Sequence, residues 1–321
     1  STAQRLIDMA TALTGHLPGG LAVASVLSCG IFAAISGSSI VTMLAIGTVM
    51  LPALKKAGYS TRYSLGAVMA GGTLGIIIPP SIPLILYGLV TETSITDLFL
   101  AGVGPGILLI IAFAVHGMWV NRHLPTPKFD FDGLSTALRN GIWAMLMPVI
   151  LLGGIYSGYF SAIEAAALAL IYALLIERFV HGGFKAKDFY EVVLDASKLG
   201  GTLFPLLAVA LSLNLILTEH RVPLAMVEFM QSWIDSPLVF MLLVNVLLLA
   251  VGALMTTGEA ILILGPILAP LAAAYGYDKV LFGIIMIVNL EIGYLTPPVG
   301  LNLLVAMTTF KQKFGELVRA A

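Results

Sequence analysis

The sequence predicts an all-α, multi-pass membrane protein built from two related halves that cross the bilayer in opposite directions. Its composition indicates the class, because 59% of the 321 residues are hydrophobic and only 10% are charged, a balance typical of polytopic helical membrane proteins. Two proline-interrupted apolar segments and a long register of matching residues indicate the duplication. A net charge of −1 provides no basic surface for nucleic acid, and the single cysteine, Cys29, excludes an internal disulfide.

Adjacent prolines interrupt two apolar segments, at about 63–90 and 280–309. Around the interruptions the sequence reads GIIIPPS at 75–81 and GYLTPPVG at 293–300. Proline has no backbone N–H and disrupts the helix, and the freed backbone groups must be satisfied by protein, water or a bound ion inside a bilayer. Two broken membrane helices at corresponding places in two halves are typical of the ion site of a transporter.

The two broken segments belong to a long register without gaps. Adding 218 to a position in the first half gives its partner in the second, and seven Gly, Pro and Tyr positions match in this way. The matching pairs are Gly47 and Gly265, Pro52 and Pro270, Gly58 and Gly276, Tyr59 and Tyr277, Gly75 and Gly293, Pro79 and Pro297, and Pro80 and Pro298. Apolar matches are common by chance in this composition, but matches of these residue types are not. We therefore interpret the register as an internal duplication.

Each half is predicted to contain a helical hairpin ahead of its broken helix. After a short amphipathic interfacial helix at 1–16, the first half occupies 17–97, with a hairpin at 17–54 that turns at the uncharged tip Ser36–Ser39. Two apolar arms joined by a small polar tip favour a re-entrant hairpin. A single kinked span is the alternative.

The second half repeats this order further along the chain. It occupies 236–309, with a hairpin at 237–275 that turns at Thr256–Gly258, followed by the second broken helix. Between the halves, residues 98–235 are predicted to be scaffold and connecting helices. Their membrane spans are expected near 98–120, 141–156, 160–177 and 199–217.

Loop charge predicts the orientation, because cytoplasmic loops are rich in Lys and Arg. Thirteen of the 16 basic residues fall in alternate connections, at Lys55, Lys56, Arg62, Arg122, Lys128, Arg139, Arg178, Lys185, Lys187, Lys198, Lys311, Lys313 and Arg319. These connections are therefore expected in the cytoplasm, together with the basic tail at 310–321. The open end of the first hairpin then faces the cytoplasm and that of the second faces outward, which makes the two halves inverted repeats.

Several motifs resemble those of one membrane protein family. The sequence reads HLPGG at 16–20, FAAISGSS at 32–39 and SAIEAAA at 161–167, and the second proline pair lies in TPPVGLNL at 296–303. Together with GIIIPPS, these motifs resemble the large membrane subunit of tripartite ATP-independent periplasmic (TRAP) transporters over essentially the whole chain. That subunit usually has further helices ahead of the first hairpin. The sequence, which opens with Ser1, is therefore expected to be part of a longer chain.

The resemblance implies an elevator-type, sodium-driven importer of a small organic acid, of sialic acid or C4-dicarboxylate type, in the bacterial inner membrane. It also implies two protein partners, a small membrane (Q) subunit and a periplasmic substrate-binding protein, with sodium as the coupling ion and no organic cofactor. An ion channel or a carrier of an unrelated substrate is the alternative. An intramembrane enzyme is disfavoured, because no His-Glu-x-x-His metal motif occurs.

Sodium sites are predicted where each hairpin tip meets the break of its own half, because a hard cation takes oxygen ligands and a broken helix frees backbone carbonyls. The candidates are Ser36, Gly37, Ser38, Ser39, Gly75 and Pro79 in the first half, and Thr256, Thr257, Gly258, Gly293, Thr296 and Pro297 in the second. The alternative is that these small residues only permit tight turns and close helix packing.

The substrate is expected between the two tips, near the middle of the membrane. Half-helix N-termini attract a carboxylate without a basic side chain, and no Lys or Arg falls inside a predicted hairpin or broken helix. The candidate contacts are Ser39, Thr42, Ser81, Thr257 and Asn302. Each of them has the alternative role of capping a helix end.

Three acidic residues lie near apolar segments. Glu164 follows Ser161 by three residues, the spacing of a capping box, which favours a structural role. Glu259, just after the second tip, fits either a helix start or the ion path. Glu291, just before the second break, fits either an ion or proton carrier or a role in packing.

Overall fold

The protein is all-helical in the computed structural model, which describes residues 2–180, 182 and 185–321 and only the backbone of Ala186. Ser1, at the start of the predicted interfacial helix, and residues 181, 183 and 184 of the predicted scaffold lie outside the described residues. The helices are α1 (Thr2–Thr14), α2 (Gly20–Ser36), α3 (Ser39–Lys56), α4 (Thr61–Ile77), α5 (Ile82–Thr91), α6 (Ile95–Val120), α7 (Phe131–Tyr156), α8 (Ala162–Leu175, continued by a π-helical turn at Ile176–Val180), α9 (Ala186–Glu219), α10 (Val222–Gln231), α11 (Pro237–Gly252), α12 (Thr257–Ala274), α13 (Lys279–Tyr294), α14 (Leu301–Phe310) and α15 (Phe314–Ala320).

Six helical segments of the described chain are long and apolar enough to cross a bilayer. They are Ser39–Lys56, Thr61–Thr91, Ile95–Val120, Phe131–Tyr156, Lys187–Glu219 and Thr257–Ala274. No strand occurs among the residues that the structure describes. The all-α membrane class predicted from composition is therefore confirmed.

Two scaffold helices begin earlier than their hydropathy indicates. The span expected at 141–156 belongs to α7, which starts ten residues upstream, where the Asp130 side chain caps the helix. The span expected at 199–217 belongs to the 34-residue α9, whose exposed first turns carry the ion pair Lys187–Glu191 at 3.6 Å. Polar caps and ion pairs extend both helices beyond their apolar parts, and the apolar parts alone supply a hydropathy signal.

α1 is an amphipathic helix whose apolar face is covered by protein. Leu6 and Ala10 are fully buried, since α1 packs against α2 and α7, whereas Asp8 on the other face is exposed. The location of α1 at the membrane interface stays a prediction.

A pair of helices precedes each interrupted helix. α2 and α3 are joined by Gly37 and Ser38, and Gly37 has the left-handed backbone (φ 60°) that glycine adopts without strain. α11 and α12 are joined by residues 253–256. Residues 78–81 separate α4 from α5, residues 295–300 separate α13 from α14, and each interruption contains a cis Pro–Pro peptide bond.

The helix boundaries of the two halves follow the register read from the sequence. After a shift of 218 residues, α3 coincides with α12 at both ends, and α4 with α13 and α5 with α14 coincide to within one residue. Helix ends depend on local caps and turns, so matching ends support the duplication. The inverted arrangement of the halves in the membrane stays a prediction.

The two halves pack across one another. On α5, Leu84 and Tyr87 are buried in one apolar core with Ile261 of α12. On α14, Leu303 is buried in a second core with Met43 of α3. The helix that follows each break therefore packs against the helix pair of the other half, as the contacts of α5 with α12 and of α14 with α3 show.

The helices between the halves present apolar side chains outward. Leu108, Val209 and Leu215 are 66–69% exposed, as expected of faces that meet lipid or another membrane subunit. A polar contact between this region and the first half is formed by Asn214 of α9, whose side chain donates to the Val90 carbonyl of α5 at 3.2 Å.

Gly75→Ala should destabilise the protein, because a Cβ built on Gly75 lies 2.3 Å from the Ser38 carbonyl oxygen. Backbone yields less than a flexible side chain, so we expect the free energy of unfolding to fall by about 1–3 kcal/mol, measured as a lower melting temperature of the detergent-solubilised protein. Gly104→Ala on α6 is the matched control, since its Cβ meets open space and alanine favours a helix by about 1 kcal/mol. Equal melting temperatures for the two variants would contradict the close approach of α4 to the tip.

Candidate functional site

The two helix breaks leave backbone carbonyls without their helical partners for a covalent reason. In an α-helix each carbonyl accepts a hydrogen bond from the N–H four residues later. The residues four positions after Gly75 and Ile76 are prolines, and the same spacing recurs after Gly293 and Tyr294. Because proline has no N–H, these carbonyls must find other partners. Gly293 has one, since its carbonyl accepts from the Thr296 N–H at 2.8 Å.

The tip of each helix pair binds the break of its own half through the backbone. The Gly37 carbonyl accepts from the Ile82 N–H at 3.4 Å. In the second half the Ala253 carbonyl accepts from the N–H groups of Val299 and Gly300, at 3.2 and 3.1 Å. The first N–H of α5 and the two N–H groups just ahead of α14 are thereby satisfied by protein.

Glycines allow this approach of backbone to backbone. A Cβ on Gly75 would lie 2.3 Å from the Ser38 carbonyl oxygen, and a Cβ on Gly293 would lie 2.6 Å from the Gly252 Cα. A larger residue at either position would separate the tip from the break. The predicted candidates Gly75 and Gly293 are thus both located where a tip meets a break.

The first tip contains a small hydroxyl network. The Ser36 hydroxyl lies 2.6 Å from the Thr42 hydroxyl and 3.4 Å from the Ser38 carbonyl oxygen. Thr42 also faces Gly75, because a Cβ there would lie 2.6 Å from the Thr42 Oγ1. Pro79 lies on the other side of the break, next to Gly102 of α6.

The second tip uses its side chains differently. Thr256 caps α12, and Glu259 completes a capping box with it. Of the two roles open to the exposed Glu259, a helix start or the ion path, the structure shows the helix start. The Thr257 N–H donates to the Tyr294 hydroxyl at 2.5 Å, while the Thr257 Oγ1 is buried without a hydrogen-bond partner. Thr296 donates to the Ile292 carbonyl at 2.9 Å.

Two further candidates of the second half lie at its edge. Pro297 is exposed, and Gly258 is half-buried, with Leu86 of α5 the nearest neighbour of a Cβ built on it. Ser81, a candidate for substrate contact, is buried and caps α5 by accepting from the Leu84 N–H at 3.4 Å. The structure therefore shows Ser81 in the capping role, which was the alternative to substrate contact.

The structure also joins residues that no spacing in the sequence connects. The Ser39 hydroxyl donates to Glu291 Oε1, and the Asn302 Nδ2 lies 2.6 Å from Ser39 Oγ and 3.1 Å from Glu291 Oε1. The three side chains are at most 1% exposed. This central cluster, consisting of Ser39, Glu291 and Asn302, links α3 of the first half to α13 and α14 of the second.

A cavity of about 340 Å³ adjoins this cluster. Its polar lining includes Thr73, Glu291 and Thr296, and Pro297 and apolar side chains such as Leu109 complete it. Thr73 and Glu291 occupy matching positions in the register of 218 residues. No Lys or Arg lines the cavity within the described ranges.

Glu164 has the structural role that its spacing indicates. Glu164 Oε2 accepts from both the Ser161 N–H and the Ser161 hydroxyl at 2.8 Å, and both halves of the capping box at the start of α8 are formed. No group of three or more His, Cys, Asp and Glu side chains suitable for a metal ion occurs in the part of the chain that is described.

The whole chain, residues 1–321, matches the family described as tripartite ATP-independent periplasmic transporter, DctM component. The chain belongs to this family. The resemblance found in the motifs is thus confirmed, and with it the localisation, since TRAP large permeases are multi-pass proteins of the bacterial inner membrane. Large permeases of this family work with a small membrane subunit and a periplasmic binding protein.

Relatives of the TRAP permease chain carry names with different substrates. The C4-dicarboxylate TRAP transporter large permease protein of Pseudomonas aeruginosa is 41% identical, over 99% of this chain and 75% of the relative. The isethionate TRAP transporter permease protein DctMQ of Oleidesulfovibrio alaskensis is 40% identical, over 98% of this chain and 50% of the relative. The ectoine TRAP transporter large permease protein of Halomonas elongata is 36% identical, over 99% of this chain and 75% of the relative.

Replacing Pro79-Pro80 or Pro297-Pro298 by Ala-Ala should abolish most transport without preventing membrane insertion. Alanine restores the N–H groups, so the helix closes and the carbonyls return to helical hydrogen bonds. Uptake and its sodium titration are measured in membranes with equal amounts of inserted protein. Pro205→Ala, at an exposed position inside α9 and in neither broken helix, is the control. Sodium titrations that match the parent would exclude the breaks as ion sites.

Proposed function

We propose that the chain is the membrane-embedded part of a sodium-coupled importer of a small organic acid. One observation carries this proposal: in both halves a helix-pair tip is hydrogen-bonded through backbone to a proline break, at Gly37 with Ile82 and at Ala253 with Val299 and Gly300. Broken helices that meet in the middle of a membrane protein supply the free backbone oxygens and helix N-termini that ion and substrate sites use.

Sodium would be held at the two tip–break junctions. The donor chemistry fits, because a hard cation takes uncharged oxygen ligands, and each junction offers carbonyls that lack a helical partner, such as that of Gly75. The first site would use the tip 36–39 with 75–79, and the second would use 256–258 with 293–297. The buried Thr257 Oγ1, which has no hydrogen-bond partner in the structure, supports the second site.

The substrate carboxylate would bind among four helix N-termini. α3, α5, α12 and α14 all begin at a tip or a break, and their first N–H groups favour an anion without a basic side chain. The rest of the substrate would form hydrogen bonds with side chains, for which the candidates are Ser39, Thr42, Ser81, Thr257 and Asn302. The name of the Pseudomonas relative favours a C4-dicarboxylate over sialic acid, and the isethionate and ectoine relatives widen the class to other small organic solutes.

The transport movement would be an elevator motion of the two helix pairs and the two broken helices as one block. Cross-packing supports this, because α5 packs on α12 and α14 on α3, so separating the two halves would expose apolar side chains of both cores. The loop charges and the shared helix boundaries support inverted repeats. A periplasmic binding protein would deliver the acid, and a small membrane subunit would cover the outward apolar faces of the scaffold. A channel lined by the breaks is the competing function.

Uptake by proteoliposomes that contain the full-length permease, the small subunit and the binding protein should require an inward sodium gradient. One charge moved through ~100 mV is worth about 2.3 kcal/mol, so two sodium ions would support about a thousandfold accumulation of a neutral substrate, and less of an anion. Radiolabelled acid uptake is measured in sodium, potassium and choline media. Equal uptake in potassium would exclude sodium coupling, and ion flux without the acid would favour the channel.

Labelling of single cysteines should report the movement. Cys29 is the only cysteine, so Cys29→Ala provides a background for Ser39→Cys and, separately, Thr257→Cys, at two positions that are at most 2% exposed here. An elevator moves each tip towards one side of the membrane in turn. The labelling rate with an impermeant thiol reagent should therefore change with sodium and substrate, in opposite senses from the two sides. Labelling rates that do not change with sodium or with substrate would contradict the movement of the block.

A further inference from the structure

The central cluster has too few hydrogen-bond donors for its oxygens. The Ser39 hydroxyl donates to Glu291 Oε1, and the Asn302 amide donates to Ser39 Oγ and to Glu291 Oε1. Two oxygens remain: Glu291 Oε2 and Asn302 Oδ1 are both buried without a hydrogen-bond partner. Asn302 Oδ1 is an acceptor, and so is Glu291 Oε2 when the carboxyl is ionised. A cation or a hydrogen-bond donor would therefore complete the cluster.

The cluster also lacks a counter-charge. Glu291 is 1% exposed and forms no ion pair with any described residue. An ionised carboxylate in such a place is costly unless it is paired. A single negative charge matches one monovalent cation, and the adjoining cavity of about 340 Å³ has room for the waters that would complete the coordination of a small ion.

We propose that Glu291 Oε2 and Asn302 Oδ1 are ligands of a sodium ion, with the Ser39 hydroxyl orienting the carboxylate through Oε1. The site is additional to the two junctions of tip and break, because its ligands are side-chain oxygens of α13 and α14 rather than backbone carbonyls. It also bridges the halves, since Ser39 begins α3 of the first half. The proposal rests on the proposed sodium-coupled transport and adds a third group of ligands to it.

The position of the site gives the ion a role in substrate binding. Glu291 lines the cavity, and no Lys or Arg among the described residues does so. Glu291 contacts Ser39 and Asn302, two of the candidate substrate contacts. An ionised Glu291 repels an acid bound beside them, and a bound sodium ion removes that repulsion. Sodium would therefore bind before the anionic substrate, which is a coupling of the two ligands through charge rather than through a change of shape.

Sodium binding to the purified full-length protein tests the site without requiring transport. Equilibrium binding of radioactive sodium is measured for the parent and for Glu291→Gln, at constant ionic strength with choline as the replacement cation. Glutamine keeps the shape and removes the charge, so the variant should bind one sodium ion fewer per chain. Glu228→Gln is the matched control, because Glu228 is exposed on α10, and it should bind as many ions as the parent.

A conservative variant separates binding from packing. Glu291→Asp keeps the charge but withdraws the carboxylate, so it should retain the number of bound ions with sodium affinity weakened by roughly tenfold. If Glu291→Gln does not yield folded protein, Asn302→Leu, which removes Oδ1, should weaken the affinity of one site by a similar factor. The same sodium stoichiometry and affinity in parent, Glu291→Gln and Asn302→Leu would overturn the site.

The outcome for this site is distinguishable from the outcome for the proposed function. A parent that takes up substrate only with sodium, together with a Glu291→Gln variant that binds the same number of ions, leaves sodium coupling standing and removes this site. If the parent protein binds no sodium, both sodium coupling and the Glu291 site are excluded.

Discussion

The constraint on which the structure depends is that no backbone N–H or carbonyl can be left unpaired in hydrocarbon. Two proline pairs break two membrane helices, and each break is tolerated because the tip of a neighbouring helix pair supplies a carbonyl to it, from Gly37 in the first half and Ala253 in the second. The tips must come close for this, which requires glycine at 75 and 293. Breaks, tips and glycines therefore form one unit in each half.

The cross-packing of the halves determines which side chains meet at the centre. Because α14 lies against α3 rather than only against its own half, Asn302 reaches Ser39, and the turn before the second break places Glu291 beside both. The counterparts in the opposite half differ in residue type, since the register pairs Glu291 with Thr73 and Ser39 with Thr257. The helix boundaries match under the register and the polar side chains do not, so the two halves contribute different side chains to one buried cluster.

Much of the architecture could be predicted from local signals. Composition predicted the membrane class, the proline pairs marked the places where α4 and α13 end, and Ser161 with Glu164 predicted a helix start that is observed. The early starts of α7 and α9 and the short helix α10 were not anticipated. The polar first turns of α7 and α9 carry no hydropathy signal and depend on caps and ion pairs such as Lys187–Glu191. α10 is apolar but only ten residues long, which is too short to indicate a membrane span.

The sequence by itself determined the family, the membrane class, the positions of the breaks and the register of 218 residues, because each of these depends on residue type and on spacing along the chain. The structure shows Ser81 and Glu259 in the local capping role that the sequence left open beside a second role. The tertiary structure alone decided that Ser39, Glu291 and Asn302 form one buried cluster. The physical reason is range. Capping and helix breaking act within a few residues, whereas the contact of Ser39 with Glu291 joins positions 252 residues apart and exists only because the two halves pack across each other.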